Sequence, residues 1–224
     1  MTTPLVVAGA GGFGRETLDV AEAINAAAPS PVWHLVGVVD DAITDVNRER
    51  LTARSVPFLG TIDEFLREQG ATASYVVGIG SPHVRRRVAA RFDDAGLSPA
   101  TLVHPSVTCG AVSVFGAGTV VCAGVTISTN VRLGHHVHIN PNATIGHDTV
   151  IDDYVSINPL AGISGDCVIE SGVLVGAGAI VLNGLRVGQG ATLGGAACAI
   201  SDVLSGTTVV GVPARPLVDR PTHG

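Results

Sequence analysis

"VRLGHHVHINPNATIGHDTVIDDYVSI", residues 131–157, decides the fold. Every sixth residue from Leu133 is a branched aliphatic (Leu133, Ile139, Ile145, Ile151, Ile157), and four positions beyond each stands Val137, Ala143, Thr149, Val155 or Ala161. Followed outward, the first series runs without a break from Val121 and Ile127 through Ile163, Ile169, Val175, Val181 and Val187 to Leu193, thirteen positions in all. A six-residue period is the signature of a parallel β-helix. Each unit supplies one short strand and a turn, and three units close a triangular coil of 18 residues. The aliphatic side chain points inward, the second inward residue stays small near a corner, and Gly or Asn in the turns accepts unusual dihedrals. Stacked coils bury a continuous apolar column, with residues 18 apart lying one above another.

Upstream of "LVHPS" (102–106) the grammar is different. "PLVVAGAGG", "HLVGVVDD" and "SYVVGIGS" read as strands, and "RETLDVAEAI", "TIDEFLREQG" and "VRRRVAARFDDAG" as helices. Alternation of this kind implies a parallel sheet covered by helices, a Rossmann-like α/β domain. The expected division is residues 1–103 for that domain and 104–224 for the β-helix. "GAGGFG" places Gly9, Gly11 and Gly14 between strand and helix, with Asp40 and Asp41 ending the next strand, the context of a dinucleotide fingerprint. A region of about 100 residues leaves no room for a complete NAD enzyme, so a nucleotide diphosphate fits better than NAD. Gly80, ending the third strand, falls at the same carboxyl edge.

Composition narrows the function classes. With 46% apolar residues, 29 glycines and 4% aromatics, the core must be built from Val, Ile, Leu and Ala. The net charge of −6 and a cationic run no longer than Arg85-Arg86-Arg87 argue against nucleic acid as a partner. No apolar run is long enough to span a membrane and no signal peptide is visible. Cys109, Cys122, Cys167 and Cys198 are widely spaced with no C-x-x-C pair, as expected of a reduced, cytoplasmic protein.

Four histidines fall inside the repeats: His135, His136, His138 and His147. Three converging imidazoles would hold zinc as in γ-class carbonic anhydrases, but the spacing fixes no such geometry. The coil rule puts His135 beneath Asp153 and His138 beneath Ser156, where both read as surface polar groups. His147 differs, because Asp148 follows it and Gly165, one coil above, leaves space over the ring. A carboxylate beside an imidazole orients it and supports its charged form, which is what a general base needs.

Taken together, "GAGGFG…VVDD…GIGS", "LVHPS", "INPNATIGHDTVID", "GAGAIVLNG", "LGGAA" and "VVGVPAR" resemble the hexapeptide-repeat sugar acyltransferases with an N-terminal nucleotide-sugar-binding domain, which include UDP-4-amino-sugar N-acetyltransferases and sialic acid O-acetyltransferases. The resemblance covers essentially the whole chain. It implies a left-handed β-helix, a homotrimer, acetyl-CoA as acyl donor without a metal, and a nucleotide-linked sugar or a free sugar as acceptor. It puts the catalytic base on His147 with Asp148 as its partner, and nucleotide or sugar contacts on Gly11, Gly12, Asp40, Asp41, Gly80 and Asn140. CoA contacts fall on Gly165, Ala177 and Gly195, with Arg215 near the CoA phosphates. At Ser156 the UDP-amino-sugar members carry a second histidine that approaches the thioester; the Ser156 hydroxyl, or His138 one coil below, stands in for it. Where members commonly show Gly, this chain has Leu160. A non-catalytic nucleotide-sugar scaffold is the alternative function.

Overall fold

The computed structural model describes residues 2–69 and 73–217, so the outer domain limits 1 and 224 and the end of the "TIDEFLREQG" segment at Gly70 lie outside the described residues. Thr3–Ala8 (β1), Trp33–Val39 (β2), Ser74–Val77 (β3) and Ser98–Pro99 (β4) form a parallel sheet in the order β2-β1-β3-β4. Gly12–Ala27 (α1), Asp45–Ala53 (α2), Ile62–Gln69 (α3) and Pro82–Asp94 (α4) connect them. Successive side chains of a strand point to opposite faces. Leu5 and Val7 therefore enter one apolar cluster and Val6 and Ala8 the other, and all four are fully buried because helices cover both faces.

Helix α2 was not anticipated from the sequence. "DVNRERLTA" buries only Leu51, so it carries almost no apolar periodicity. What starts it is a cap: the Thr44 hydroxyl accepts from the Asn47 N–H at 3.3 Å, and Asp45 lies in the first turn.

The β-helix begins where Leu102–Val103 (β5) pairs with Val120–Val121, and two-residue strands then recur every six residues to Cys198–Ala199. It winds through about six turns. Strands pair 18 residues apart on each of three faces, as Leu133 with Ile151, Ile139 with Ile157 and Ile145 with Ile163. The two inward series merge into one cluster running from Val121 to Val209. Truncating a central member such as Ile157 to Ala would cost about 2–5 kcal/mol, since close-packed coils collapse poorly around a cavity.

Corner residues adopt left-handed backbone in three columns: Asn130, Asp148 and Asp166; His136, Tyr154 and Gly172; Asn142, Leu160 and Gly178. Gly, Asn and Asp tolerate this conformation, whereas His136, Tyr154 and Leu160 bear a cost. One corner separates the face of Thr126, Thr144, Gly162 and Ile180 (the threonine face) from the face of Arg132, Val150 and Val168 (the arginine face). That corner carries His147 and Asp148. The third face, with Val120, His138 and Ser156, bears the N-terminal domain: Val120 and Cys122 share a core with Leu5, Leu18 and Leu102. In a triangular coil the His147 corner therefore lies opposite the face that carries its own N-terminal domain.

Candidate active site

The glycines at the carboxyl edge of the N-terminal sheet divide by purpose. A Cβ on Gly14 would lie 1.8 Å from the Gly9 carbonyl oxygen, and one on Gly78 would lie 2.5 Å from the Gly14 Cα, so these three glycines let helix α1 pack against two strand ends. A Cβ on Gly11, Gly12 or Gly80 would meet nothing within 4 Å. These three present bare backbone to open space, Gly80 in the turn after β3 and Gly11 and Gly12 at the N-terminus of a 16-residue helix whose N-cap, Gly11, has no side chain to satisfy the first N–H groups. Such an end favours an anion. Asp40 shapes this edge, its carboxylate accepting from the Ala10 N–H at 2.7 Å and the Ala42 N–H at 2.8 Å. Asp41 has partners of its own: its carboxylate takes the Ile62 N–H at 3.0 Å and a guanidinium bond from Arg91, which also holds Asp63. Burial opposes its ionisation, but Arg91 and the Ile62 N–H outweigh burial and lower its pKa. In the structure Asp41 joins α3 to α4, with its side chain 45% exposed.

At the far corner, His147 Nδ1 lies 2.7 Å from Asp148 Oδ2, while Asp148 Oδ1 accepts from the Asn130 amide at 2.6 Å. A carboxylate only accepts, so Nδ1 carries the proton and Nε2 is left as the basic atom. The bonds from Asn130 and His147 hold the Asp148 carboxyl below its ordinary range, which keeps it ionised. Asp166, one coil above Asp148, brings a second carboxylate to 4.0 Å from Nδ1. The imidazole is 55% exposed. Gly165 does lie over it, but the expected empty space is filled by the ring itself: a Cβ on Gly165 would stand 2.5 Å from both Cε1 and Nε2. Glycine is what lets the ring lie flat on the next coil.

Two other expectations give way. Ser156 is 1% exposed, and its hydroxyl donates to the Gly80 carbonyl at 2.8 Å and accepts from Arg85 at 3.0 Å, which engages it between the two domains rather than at a thioester. His138, expected at the surface or as a substitute for the second histidine, is fully buried against the Phe13 ring with centroids 4.4 Å apart. The side chain of an outward strand residue is solvated only if its face is free, and the N-terminal domain covers this one. His135 is exposed, its N–H bound to Asp153 at 2.7 Å as the coil rule implies. His136 is buried and stacks on Tyr154. Asn140 is nearly buried, its amide donating to the Ile157 carbonyl at 3.0 Å at the edge of the domain-bearing face.

Ala177 and Gly195 stack one coil apart on the corner at the opposite edge of the threonine face from Gly165, both exposed. Arg215 is exposed near the C-terminal end of the solenoid. Among the described residues, the donor atoms of His147, Asp148 and Asp166 lie within 4.8 Å of one another, one imidazole with two carboxylates in place of the three imidazoles a zinc anhydrase needs. No helix among the described residues is long and apolar enough to cross a membrane. Sequence reasoning missed Asn130 and Asp166, although both lie 18 residues from Asp148 and the coil rule predicts the column. It also missed Arg85, for which local sequence carries no signal.

Comparison with known proteins matches residues 4–92 to the PglD N-terminal domain. A GDP-perosamine N-acetyltransferase of Escherichia coli O157:H7 is 31% identical over 145 residues, covering 65% of this chain and 62% of that protein. The acetyltransferase domain of PglB from Neisseria gonorrhoeae FA1090, solved in complex with acetyl coenzyme A, superposes with a TM-score of 0.82 at 27% identity, covering 97% of this chain and 100% of that one. PerB from Caulobacter crescentus, in complex with CoA and GDP-perosamine, shares the fold with a TM-score of 0.84 at 24% identity over 97% of this chain and 99% of that one.

Proposed function

We propose that the chain is a hexapeptide-repeat sugar acyltransferase with an N-terminal PglD-type domain, and that it moves the acetyl group of acetyl-CoA onto the amine of a nucleotide-linked amino-sugar, with His147 as general base. The observation that carries this reading is the exposed His147–Asp148–Asn130 chain, with Nε2 free. The amine nitrogen attacks the thioester carbonyl carbon, its proton passes to Nε2, the C–S bond breaks, and the proton ends on the CoA sulfur. Asp148 holds the tautomer and offsets the charge that forms on the ring. Base catalysis of this kind contributes roughly 10²–10⁴ in rate. The complexes of PglB with acetyl coenzyme A and of PerB with CoA and GDP-perosamine support the two substrates. The nucleotide would sit on the bare backbone of Gly11, Gly12 and Gly80, shaped by Asp40. Acetyl-CoA would lie on the threonine face, between Gly165 at one edge and Ala177 and Gly195 at the other, with Arg215 toward its phosphates.

The protein acts as a homotrimer in this reading. His147 stands on the corner opposite its own N-terminal domain, so an acceptor held at Gly11, Gly12 and Gly80 of one chain meets the base of a neighbour. A ring of head-to-tail contacts gives every chain one such site. The free cysteines and the acetyl-CoA donor suit the cytoplasm.

The test is CoA release with mass detection of product, across GDP- and UDP-linked 4-amino-sugars and free sialic acid, beside His147→Ala. Acetylation of a nucleotide-linked amine, reduced at least about a hundredfold in the variant with acetyl-CoA affinity retained, supports the proposal. A variant turning over at the wild-type rate overturns the base. Transfer to sialic acid alone makes the enzyme an O-acetyltransferase, and nucleotide binding without any transfer makes it a scaffold.

A further inference from the structure

Arg85 of α4 is the largest fully buried side chain, and among the described residues no carboxylate pairs with it. A buried cation is costly unless its donors are satisfied. All five N–H groups of this one are engaged: Nε donates to the His136 carbonyl at 2.9 Å, Nη1 to Ile79 at 2.8 Å and Gly80 at 3.2 Å, and Nη2 to Tyr154 at 2.8 Å, Val155 at 3.2 Å and the Ser156 hydroxyl at 3.0 Å. Burial draws its pKa down to about 9, so it remains a cation at neutral pH. Two of these acceptors close the turn after β3; four belong to the coil. Ser156 adds a direct bond from the coil to the same Gly80 oxygen at 2.8 Å.

Apolar contact alone would join the two domains. What the guanidinium adds is direction: it fixes the carbonyl of the one glycine in that turn whose Cβ side opens onto empty space. Building on the nucleotide-sugar reading above, we propose that Arg85 and Ser156 are positioning residues, which hold the Gly80 turn in its ligand-ready conformation by clamping its carbonyl to the coil. A turn held in its bound shape before the ligand arrives spends less binding energy on ordering. The consequence falls on nucleotide-sugar affinity, not on the thioester.

Ser156→Ala in the full-length protein separates the alternatives. It removes one hydroxyl that bridges a cation and a carbonyl, and the KM for the nucleotide-linked amino-sugar should rise about tenfold, the effect of losing one such buried bond. The kcat and the KM for acetyl-CoA should stay within about twofold, since that substrate lies on another face. Arg85→Lys keeps the charge but offers three donors to six acceptors, and should raise the same KM further. If Ser156 instead served the thioester, kcat would fall with the sugar KM unmoved; that result, or a parallel rise in both KM values, overturns the inference. Affinities for GDP and UDP by calorimetry give a second readout free of turnover. Should the wild type bind a nucleoside diphosphate but acetylate nothing, the transferase reading fails alone, and the inference stands if Ser156→Ala weakens that binding about tenfold and falls if it does not.

Discussion

Gly165→Ala offers the sharpest test of how the base is held. The new Cβ would stand 2.5 Å from the Cε1 and Nε2 of His147, where ordinary contact starts at 3.4 Å, so the ring must retreat by about 1 Å. The ring is more than half exposed and can swing outward, which breaks its 2.7 Å bond to Asp148. The backbone at Gly165 has no left-handed dihedral, so alanine is accepted there and restricts the unfolded chain, a gain of about 0.4–1 kcal/mol. A misplacement of about 1 Å costs on the order of 10² in rate, roughly 2.7 kcal/mol of transition-state stabilisation. Steady-state kinetics should therefore show kcat about a hundredfold down, acetyl-CoA KM within about threefold, and a melting temperature no lower than wild type. Repeating the substitution on His147→Ala completes a cycle: with no ring to displace, Gly165→Ala should do nothing further. Equal losses in both backgrounds would refute the reasoning and show that Gly165 acts on the reaction without the ring.

Three more outcomes follow from the same geometry. Mixing His147→Ala chains with Gly12→Val chains should restore activity that neither has alone, because one neighbour supplies the base and the other the nucleotide edge; persistent inactivity in verified mixed oligomers would place both parts of the site in one chain. Burial lowers the His136 pKa to about 4 and pushes His138 well below its ordinary value, so on acidification from about pH 6.5 to about 4 the unfolded chain takes up protons the native one refuses. Stability should be flat above that window and fall within it by on the order of 3 kcal/mol from His136 alone, and denaturant titrations of His136→Asn should show a shallower fall. Leu160→Gly should raise the melting temperature by about 2–4 °C, because it relieves a left-handed leucine, φ 63°, that is 68% exposed. An unchanged or lower value would mean the leucine is covered in the assembled protein.

Periodicity made the solenoid legible before any coordinates, since a buried column admits few residue types and the six-residue step leaves its mark on every coil. It also placed His135 on Asp153, His138 on Ser156 and His147 under Gly165, which the register pairs and contacts reproduce. It is silent on which outward face will be covered. His138 and Ser156 read as accessible for that reason, and Arg85 stands out in the sequence only as part of a three-residue cationic run. The coil partners of Arg85 lie 51–71 residues away in sequence, and Phe13, which covers His138, is farther still, distances over which no local pattern operates. Asp41, adjacent to Asp40 and chemically identical, pairs with Arg91, 50 residues on, a partner the local sequence does not announce. Helix α2 escaped because a cap, not an apolar stripe, specifies it.

A parallel β-helix is a staircase with a fixed rise of about 4.8 Å per storey. The carbonyls that grip Arg85, at His136 and at Tyr154 and Val155, bracket His147 on a single flight, so the landing that receives the N-terminal domain and the one that carries the base are the same. Whole flights of 18 residues can be added above Leu193 without altering that relation, and the stack simply grows taller. One flight spliced between Asn140 and Asp153 would lengthen the apolar column just as smoothly, yet it would part the His136 carbonyl from those of Tyr154 and Val155 by an extra storey, beyond the span of the single guanidinium that grips both.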